Sequence, residues 1–224
     1  MKPKEITLNT PLSKNEDHVG TSYDTPLRSD AFEMTDEKKV EIISEKFRDI
    51  MITLGLDLDD DSLQGTPMRV AKMYVEEVFS GLNPKNKPFA KLFENKFQYD
   101  EMVVEKDITF YSHCEHHFVP IYGKAHVAYI STGNVIGLSK INRIVQYYAK
   151  RPQVQERLTI QVANELKQVL NTEHVAVVMD ANHLCVSSRG VSDTNSKTGT
   201  AHFSGLFRED PNRKKELLNY INAS

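Results

Sequence analysis

Apolar positions recur three or four apart over two stretches before residue 100, then fall into alternation. Thr35-Asp36-Glu37 supplies a capping hydroxyl and an acidic first turn. Val40, Ile43, Phe47, Ile50 or Met51, and Leu54 follow at helical spacing, which predicts an amphipathic helix closed by Gly55. The acidic run from Asp57 to Asp61 reads as a solvated loop. Thr66 at the cap and Pro67 at the first helical position start a second helix. Its stripe is Val70, Met73, Tyr74 and Val78, and Gly81 ends it. Residues 82–100, with Pro84 and Pro88 among Lys and Asn, read as a connection. Residues 1–34 are polar and aperiodic, and read as a flexible arm ordered in part by a neighbouring subunit.

Beyond residue 100 the period is two. Met102, Val104, Lys106, Ile108 and Phe110 alternate with Val103, Glu105, Asp107, Thr109 and Tyr111, predicting a strand that runs into a histidine-rich cluster. Ile121 to Ile130 reads as its antiparallel partner. Gly137-Leu138-Ser139-Lys140 opens a helix carrying Ile141, Ile144, Val145 and Tyr148. Arg151-Pro152 breaks it, and Pro152 serves as first residue of the next helix, with Val154, Leu158, Val162, Leu166 and Val169 or Leu170 inside. Val175 to Met179 and Leu184 to Arg189 read as short strands, Thr200 to Phe207 as extended or looped, and Pro211 to Tyr220 as a terminal helix. The order strand, strand, helix, helix, strand, strand gives an α+β class, an antiparallel sheet carrying a helix pair. The expected division is an arm (1–34), an N-terminal helical region (35–100) and a sheet domain (101–224). Sheet edges of this kind suit assembly through strand pairing.

Composition narrows the partners. The 224 residues are 39% hydrophobic and 26% charged, as in a soluble globular protein. A formal charge of −3 and a pI near 6.2 give no reason to expect nucleic acid or an anionic membrane, so anions must be held by a local basic cluster. No apolar run approaches the roughly 18 residues of a membrane helix. Met1-Lys2-Pro3-Lys4-Glu5 lacks the apolar segment of a signal peptide, so a cytoplasmic location is expected.

The chemistry concentrates in two places. Ser112-His113-Cys114-Glu115-His116-His117-Phe118 holds one of two cysteines and three of eight histidines, and His183-Leu184-Cys185 holds the other cysteine. In a reducing compartment such cysteines are expected as metal ligands or reactive thiols rather than as a disulfide. The C-x-x-H spacing of Cys114 and His117 lets both side chains turn toward one ion, and Cys185 supplies a third ligand if its strand runs alongside. Two thiolates and an imidazole suit Zn²⁺. His113, His116 and His183 all remain candidates for a fourth ligand. An open fourth position would instead hold water at a lowered pKa. His183 and Cys185, two apart on a strand, would share a face and bring His183 to the ion as acid or base. Ser139, Lys140 and Arg143 at a helix start form an anion cradle, which Arg69, Lys72 and Arg189 could extend into a polyphosphate pocket. For Arg69 and Lys72 taken alone, ordinary solvent-facing charge is the favoured reading. Glu156 reads either as a carboxylate for a planar base or as an exposed partner of Arg157.

Taken together, five separated stretches resemble the GTP cyclohydrolase I family: Gly65 to Ala71, Ser112 to Phe118, Val135 to Arg143, Arg151 to Leu158, and Asp180 to Gly190. The resemblance spans residues 36–220. It implies a tunnelling fold with an N-terminal helical extension, assembled as a homodecamer of two stacked pentamers with sites between subunits. It implies hydrolysis of GTP to 7,8-dihydroneopterin triphosphate and formate, the entry step of folate and pterin synthesis. Carried onto this chain, it makes Cys114, His117 and Cys185 zinc ligands and His116 and His183 the acid/base pair. Glu156 with Gln155 would recognise guanine; Arg69, Lys72, Ser139, Lys140, Arg143 and Arg189 would bind triphosphate and ribose; His113 is a bystander. The purine would be opened at C8, with His183 protonating N7 and His116 carrying a proton for water or sugar. Two alternatives are a zinc-stabilised binding protein without catalysis and a related enzyme acting on a pterin or deazapurine, with Cys114 as thiol nucleophile.

Overall fold

A computed structural model describes residues 21–223. The arm's first twenty residues lie outside that range. In helix α1 (Asp36–Thr53) the Thr35 hydroxyl accepts the Lys38 N–H at 3.3 Å, as the capping pattern requires. Val40 and Met51 are buried in it, whereas Ile50 and Leu54 are exposed. The acidic run is not all loop, because Asp60 caps a short helix α2 (Asp61–Gln64) by accepting from Ser62 N–H. Helix α3 (Thr66–Lys72) packs on α1 and runs on through a π-helical turn (Met73–Val78) and a 3₁₀ turn (Ser80–Leu82), so the second helix ends in widened and tightened turns rather than simply at Gly81.

The expected connection over 82–100 contains strand β1 (Leu92–Glu94), which pairs with β4 (Asn134–Ile136). Three residues give too short an alternation to read from sequence. The main sheet has five strands in the order β5-β2-β3-β6-β7. Its long members are β2 (Met102–Cys114), β3 (Pro120–Ile130) and β6 (Val175–His183), joined antiparallel, with β7 (Thr198–Phe203) on one edge. On the other edge, Pro152–Gln153 forms β5, parallel to His113–Cys114. Pro152 is therefore not a helix start.

Helices α4 (Leu138–Ala149) and α5 (Gln155–Leu170) cover one face, burying Ile141, Ile144, Leu158, Val162 and Leu166 against Val127, Val177 and Met179. After the turn α6 (Leu184–Ser187) and β7, the short α7 (Leu206–Glu209) and the terminal α8 (Pro211–Asn222) reach the opposite face, where Phe207 and Leu217 meet Met102 and Ala128. This is the α+β, β-β-α-α-β-β arrangement expected, with its last strand at 198–203 rather than 184–189.

One irregularity in β2 decides where the site faces. Glu105 pairs with Val127 and Ile108 with Ala125, so β2 carries one residue more than β3 between these pairs. Asp107 in the bulge adopts φ 61° and donates its N–H to His126 Nδ1 at 3.2 Å. Before the bulge Met102 and Val104 face α8. After it Ile108, Phe110 and Cys114 belong to the core beneath α4 and α5. Unbroken alternation would have put Cys114 on the face of Met102.

Candidate functional site

Strand β2 ends in a tight turn carrying Cys114 to Phe118. Cys114 N–H donates to Val119 O at 2.9 Å, Glu115 N–H to Gln153 O at 3.1 Å, and Phe118 N–H to Cys114 O at 2.8 Å. Phe118 leaves the turn at φ 53°, a left-handed conformation that costs a bulky residue energy and is often found beside functional groups. Cys185 arrives from elsewhere. β6 ends at His183, and Leu184 to Ser187 coil into α6, so the expected strand there is a helical turn. The shared-face argument for His183 and Cys185 therefore fails. Instead the turn swings Cys185 against the core beside Cys114.

The ligand atoms of Cys114, His117 and Cys185 all lie within 4.8 Å of one another, and they are the one such group of three among the described residues. Cys114 Sγ is 3.8 Å from His117 Nδ1. Two donors on a tetrahedral zinc, with Zn–S near 2.3 Å and Zn–N near 2.05 Å, stand about 3.5–3.8 Å apart. The donor set and spacing thus fit a tetrahedral, thiolate-binding ion. Burial first, and then the Cys114 thiol beside it, push the Cys185 thiol up.

The other histidines divide by environment. His116 Nδ1 is 3.7 Å from Cys114 Sγ and its Nε2 is 3.8 Å from Glu115 Oε1, but it does not fall within reach of all three ligands. His113 is buried, edge-on to the Phe79 ring at 5.4 Å, with Nδ1 unpartnered and its pKa lowered by burial. His183 is half-buried. Burial holds its imidazole below the ordinary range, partly offset by the Glu156 carboxylate. Its Nε2 lies 2.8 Å from Gln155 Oε1. The Gln155 amide nitrogen faces three acceptors, Met179 O, Thr198 O and Thr200 Oγ1, for its two hydrogens, which fixes the amide's orientation. Oε1 must then accept, so His183 carries its hydrogen on Nε2 and leaves Nδ1 bare.

Gln155 is 2% exposed, and its amide is hydrogen-bonded to Met179, Thr198, Thr200 and His183. Glu156 is exposed at the start of α5. It is not the partner of Arg157, which pairs with Glu115 at 2.6 Å. This buried ion pair was missed in the sequence, since the two residues lie 42 positions apart and only the fold joins them.

The basic residues are split. Arg189 Nη1 lies 2.9 Å from His117 Nε2, at the cluster. Ser139, Lys140 and Arg143 are on the first turns of α4, whose direction is fixed by Asn142 Nδ2 donating to Glu105 Oε1 and Gln146 Nε2 to Thr109 O. The helix therefore runs along β2 toward Cys114, and Lys140 sits roughly 15 Å behind the end of α4. Arg69 turns back on its own helix start, bonding Ser62 O and Thr66 Oγ1, and Lys72 is exposed on α3. Among the described residues, none of these five makes a hydrogen bond or ion pair with the cluster.

Comparison with known proteins bears on this geometry. A Flavobacterium johnsoniae protein named GTP cyclohydrolase 1 is 59% identical over 206 residues, 92% of each chain. Proteins of that name from Citrobacter koseri and Escherichia coli are 52% identical over 203 residues, 91% of each chain. An archaeosine synthase QueF-like structure in the apo form covers 48% of this chain at 18% identity and a TM-score of 0.41, too slight a likeness to carry an inference. The GTP cyclohydrolase I profile matches residues 43–222, spanning both cysteines and every basic residue named above, and this chain belongs to the GTP cyclohydrolase I family.

Proposed function

We infer that the chain hydrolyses GTP to 7,8-dihydroneopterin triphosphate and formate, with zinc held by Cys114, His117 and Cys185. The observation carrying this reading is the convergence of two thiols and an imidazole, from positions about seventy residues apart, on one tetrahedral spacing in a chain of this family. When bound, zinc supplies the Lewis acidity that activates water near neutral pH. His183, neutral with Nδ1 bare, is set to take up a proton there and hand it to purine N7. His116, between the Cys114 sulfur and the Glu115 carboxylate, carries a proton for water or for the sugar. Glu156 is the exposed carboxylate for guanine, while Gln155 acts through His183. Arg189 with Arg69, Lys72, Ser139, Lys140 and Arg143 would hold triphosphate and ribose.

The separation of these cations from the cluster within one chain supports a site built between copies, in a homodecamer of two stacked pentamers. So does the exposure of Phe89 (82%), Phe97 (95%), Phe93 and Tyr99, apolar surface that a second copy would cover. Among the described residues no helix is long and apolar enough to cross a membrane, and a cytoplasmic site of action is part of the same proposal. Zinc-loaded protein with GTP alone should yield formate and a fluorescent pterin. Chelation should abolish turnover yet leave far-UV circular dichroism largely intact, because the core under α4 and α5 needs no metal. No product from zinc-loaded protein would overturn the reading. Full activity in Cys185→Ser would instead favour a thiol mechanism at Cys114.

A further inference from the structure

Arg157 is 4% exposed, and a guanidinium so buried needs its charge paired. Its Nη1 and Nη2 donate to Glu115 Oε2 and Oε1 at 2.6 and 3.3 Å, and its Nε donates to the Ser22 carbonyl at 2.9 Å. Glu115 sits between Cys114 and His116, so the guanidinium grips the middle of the turn that carries two of the three donors. The Ser22 contact is one of three. Gln161 Nε2 donates to Asp24 Oδ1 at 3.1 Å, and Asn164 Nδ2 to the Tyr23 hydroxyl at 2.6 Å. Positions 157, 161 and 164 lie four and three apart, on one face of α5. Three consecutive arm residues are thus seated on the helix that anchors the turn.

We propose that Arg157 is a positioning residue for the metal turn, and that Ser22 to Asp24 complete its clamp, so that metal affinity depends on how the arm is seated. The proposal rests on the reading that Cys114 and His117 are ligands. Without the guanidinium, the Glu115 carboxylate is freed within one residue of Cys114 and beside His116. It can then draw the His116 imidazole or compete for the ion, and the turn must be ordered anew when metal binds. Lysine at this position would keep the charge but lose the two-pronged grip and the Ser22 contact.

The test is zinc affinity of the full chain, measured by competition with a chromophoric chelator, with far-UV circular dichroism and gel filtration reporting the fold. Arg157→Met, and Glu115→Gln/Arg157→Met in which no charge is stranded, should bind zinc about 10- to 100-fold more weakly, the range for outer-shell partners of metal ligands. Arg157→Lys should recover part of the loss. Tyr23→Ala/Asp24→Ala should weaken binding by a smaller factor. A purely structural ion pair would lower the melting temperature of chelated protein without moving zinc affinity. Wild-type affinity in the folded double variant overturns the clamp, and wild-type affinity in the arm variant removes the arm from it. Wild-type affinity in Cys185→Ser would overturn the metal reading itself.

Discussion

Gln155→Met separates holding the fold from holding His183. Methionine fills the volume of the buried amide but makes none of its hydrogen bonds. Most partners lose little. The Thr200 hydroxyl keeps Thr159 Oγ1 at 2.7 Å, and Thr198 is exposed on edge strand β7, where water replaces the amide. The group stranded is His183 Nε2–H. An orphaned donor on this half-buried ring costs at most about 1–3 kcal/mol. For a chain of this size that is a fall in melting temperature of up to roughly 2–12 °C. Turnover should suffer more, because the imidazole is released from both its orientation and its tautomer, and a misplacement near 1 Å costs about 100-fold. Formate release at saturating GTP and thermal unfolding in chelator measure the two effects separately. Turnover within about twofold of wild type, with the melting temperature lowered, would refute the argument that Gln155 sets the protonation of His183.

Three further outcomes follow from the packing. In Gly123→Ala the added Cβ would lie 2.0 Å from Asp180 O and 2.7 Å from Ala181 Cα, both backbone in the adjacent strand β6. The central ladder must part, and soluble yield should collapse. Lys87→Met strips the buried Glu165 carboxylate of its 2.7 Å ion pair and leaves the Tyr148 hydroxyl as its partner. Because Lys87 is itself half-exposed, the loss should be only about 1–3 kcal/mol in denaturant titration. His126 is held below its ordinary value of 6.5 chiefly by burial, then by Lys106 and Lys124, against the opposing pull of Asp107 and Asp180. The unfolded chain binds that proton at higher pH than the folded one, so stability is full above about pH 6.5 and falls as the pH drops toward the folded value. His126→Gln should flatten, without abolishing, the decline in melting temperature from pH 7 to 5, since His202 is shifted the same way. An unchanged slope would show that His126 is not kept neutral.

What could be read from sequence was what periodicity and short spacing encode. Thr35 capped its helix, the helix pair and long strands appeared where alternation and 3.6-residue stripes put them, and Cys114, His117 and Cys185 came together. The failures share a physical cause, since each depended on contacts between distant segments. Leu184 to Arg189 has strand-like composition, but β6 has already run out of pairing partners at His183, and the freed backbone coils. Pro152 looks like a helix start but is drawn into pairing with His113. The bulge at Lys106 and Asp107, where a lysine stands in the apolar set, turns Cys114 to the inner face, and a single charged residue does not reveal an extra residue in the strand. The bonds that seat Gln155 against Met179, Thr198 and His183 could not be read either, because only the fold brings those residues to it.

The divided basic set yields a test of where each half of a site comes from. In one chain the metal cluster lies at the end of α4 and the anion cradle at its start, pinned apart by the Asn142 and Gln146 bonds to β2. Sliding α4 to close that gap would break both bonds and strip Ile141, Ile144 and Val145 from the core, so flexing within one copy is an expensive route. A second copy can bring its own α4 start to the cluster at no such cost. Cys185→Ser removes the metal half of a site, and Lys140→Ala/Arg143→Ala removes the anion half; each alone should be nearly inactive. Co-expressed in equal amounts, they would mix at random in the proposed oligomer. If the halves come from different copies, a site is intact when its metal half belongs to one variant and its anion half to the other. That combination has a probability of about one in four for a random closed assembly. Mixed oligomers should therefore regain about a quarter of wild-type turnover, against essentially none when the purified variants are combined without subunit exchange. If both halves come from the same chain, every site carries one lesion, and mixed oligomers stay as inactive as their parents.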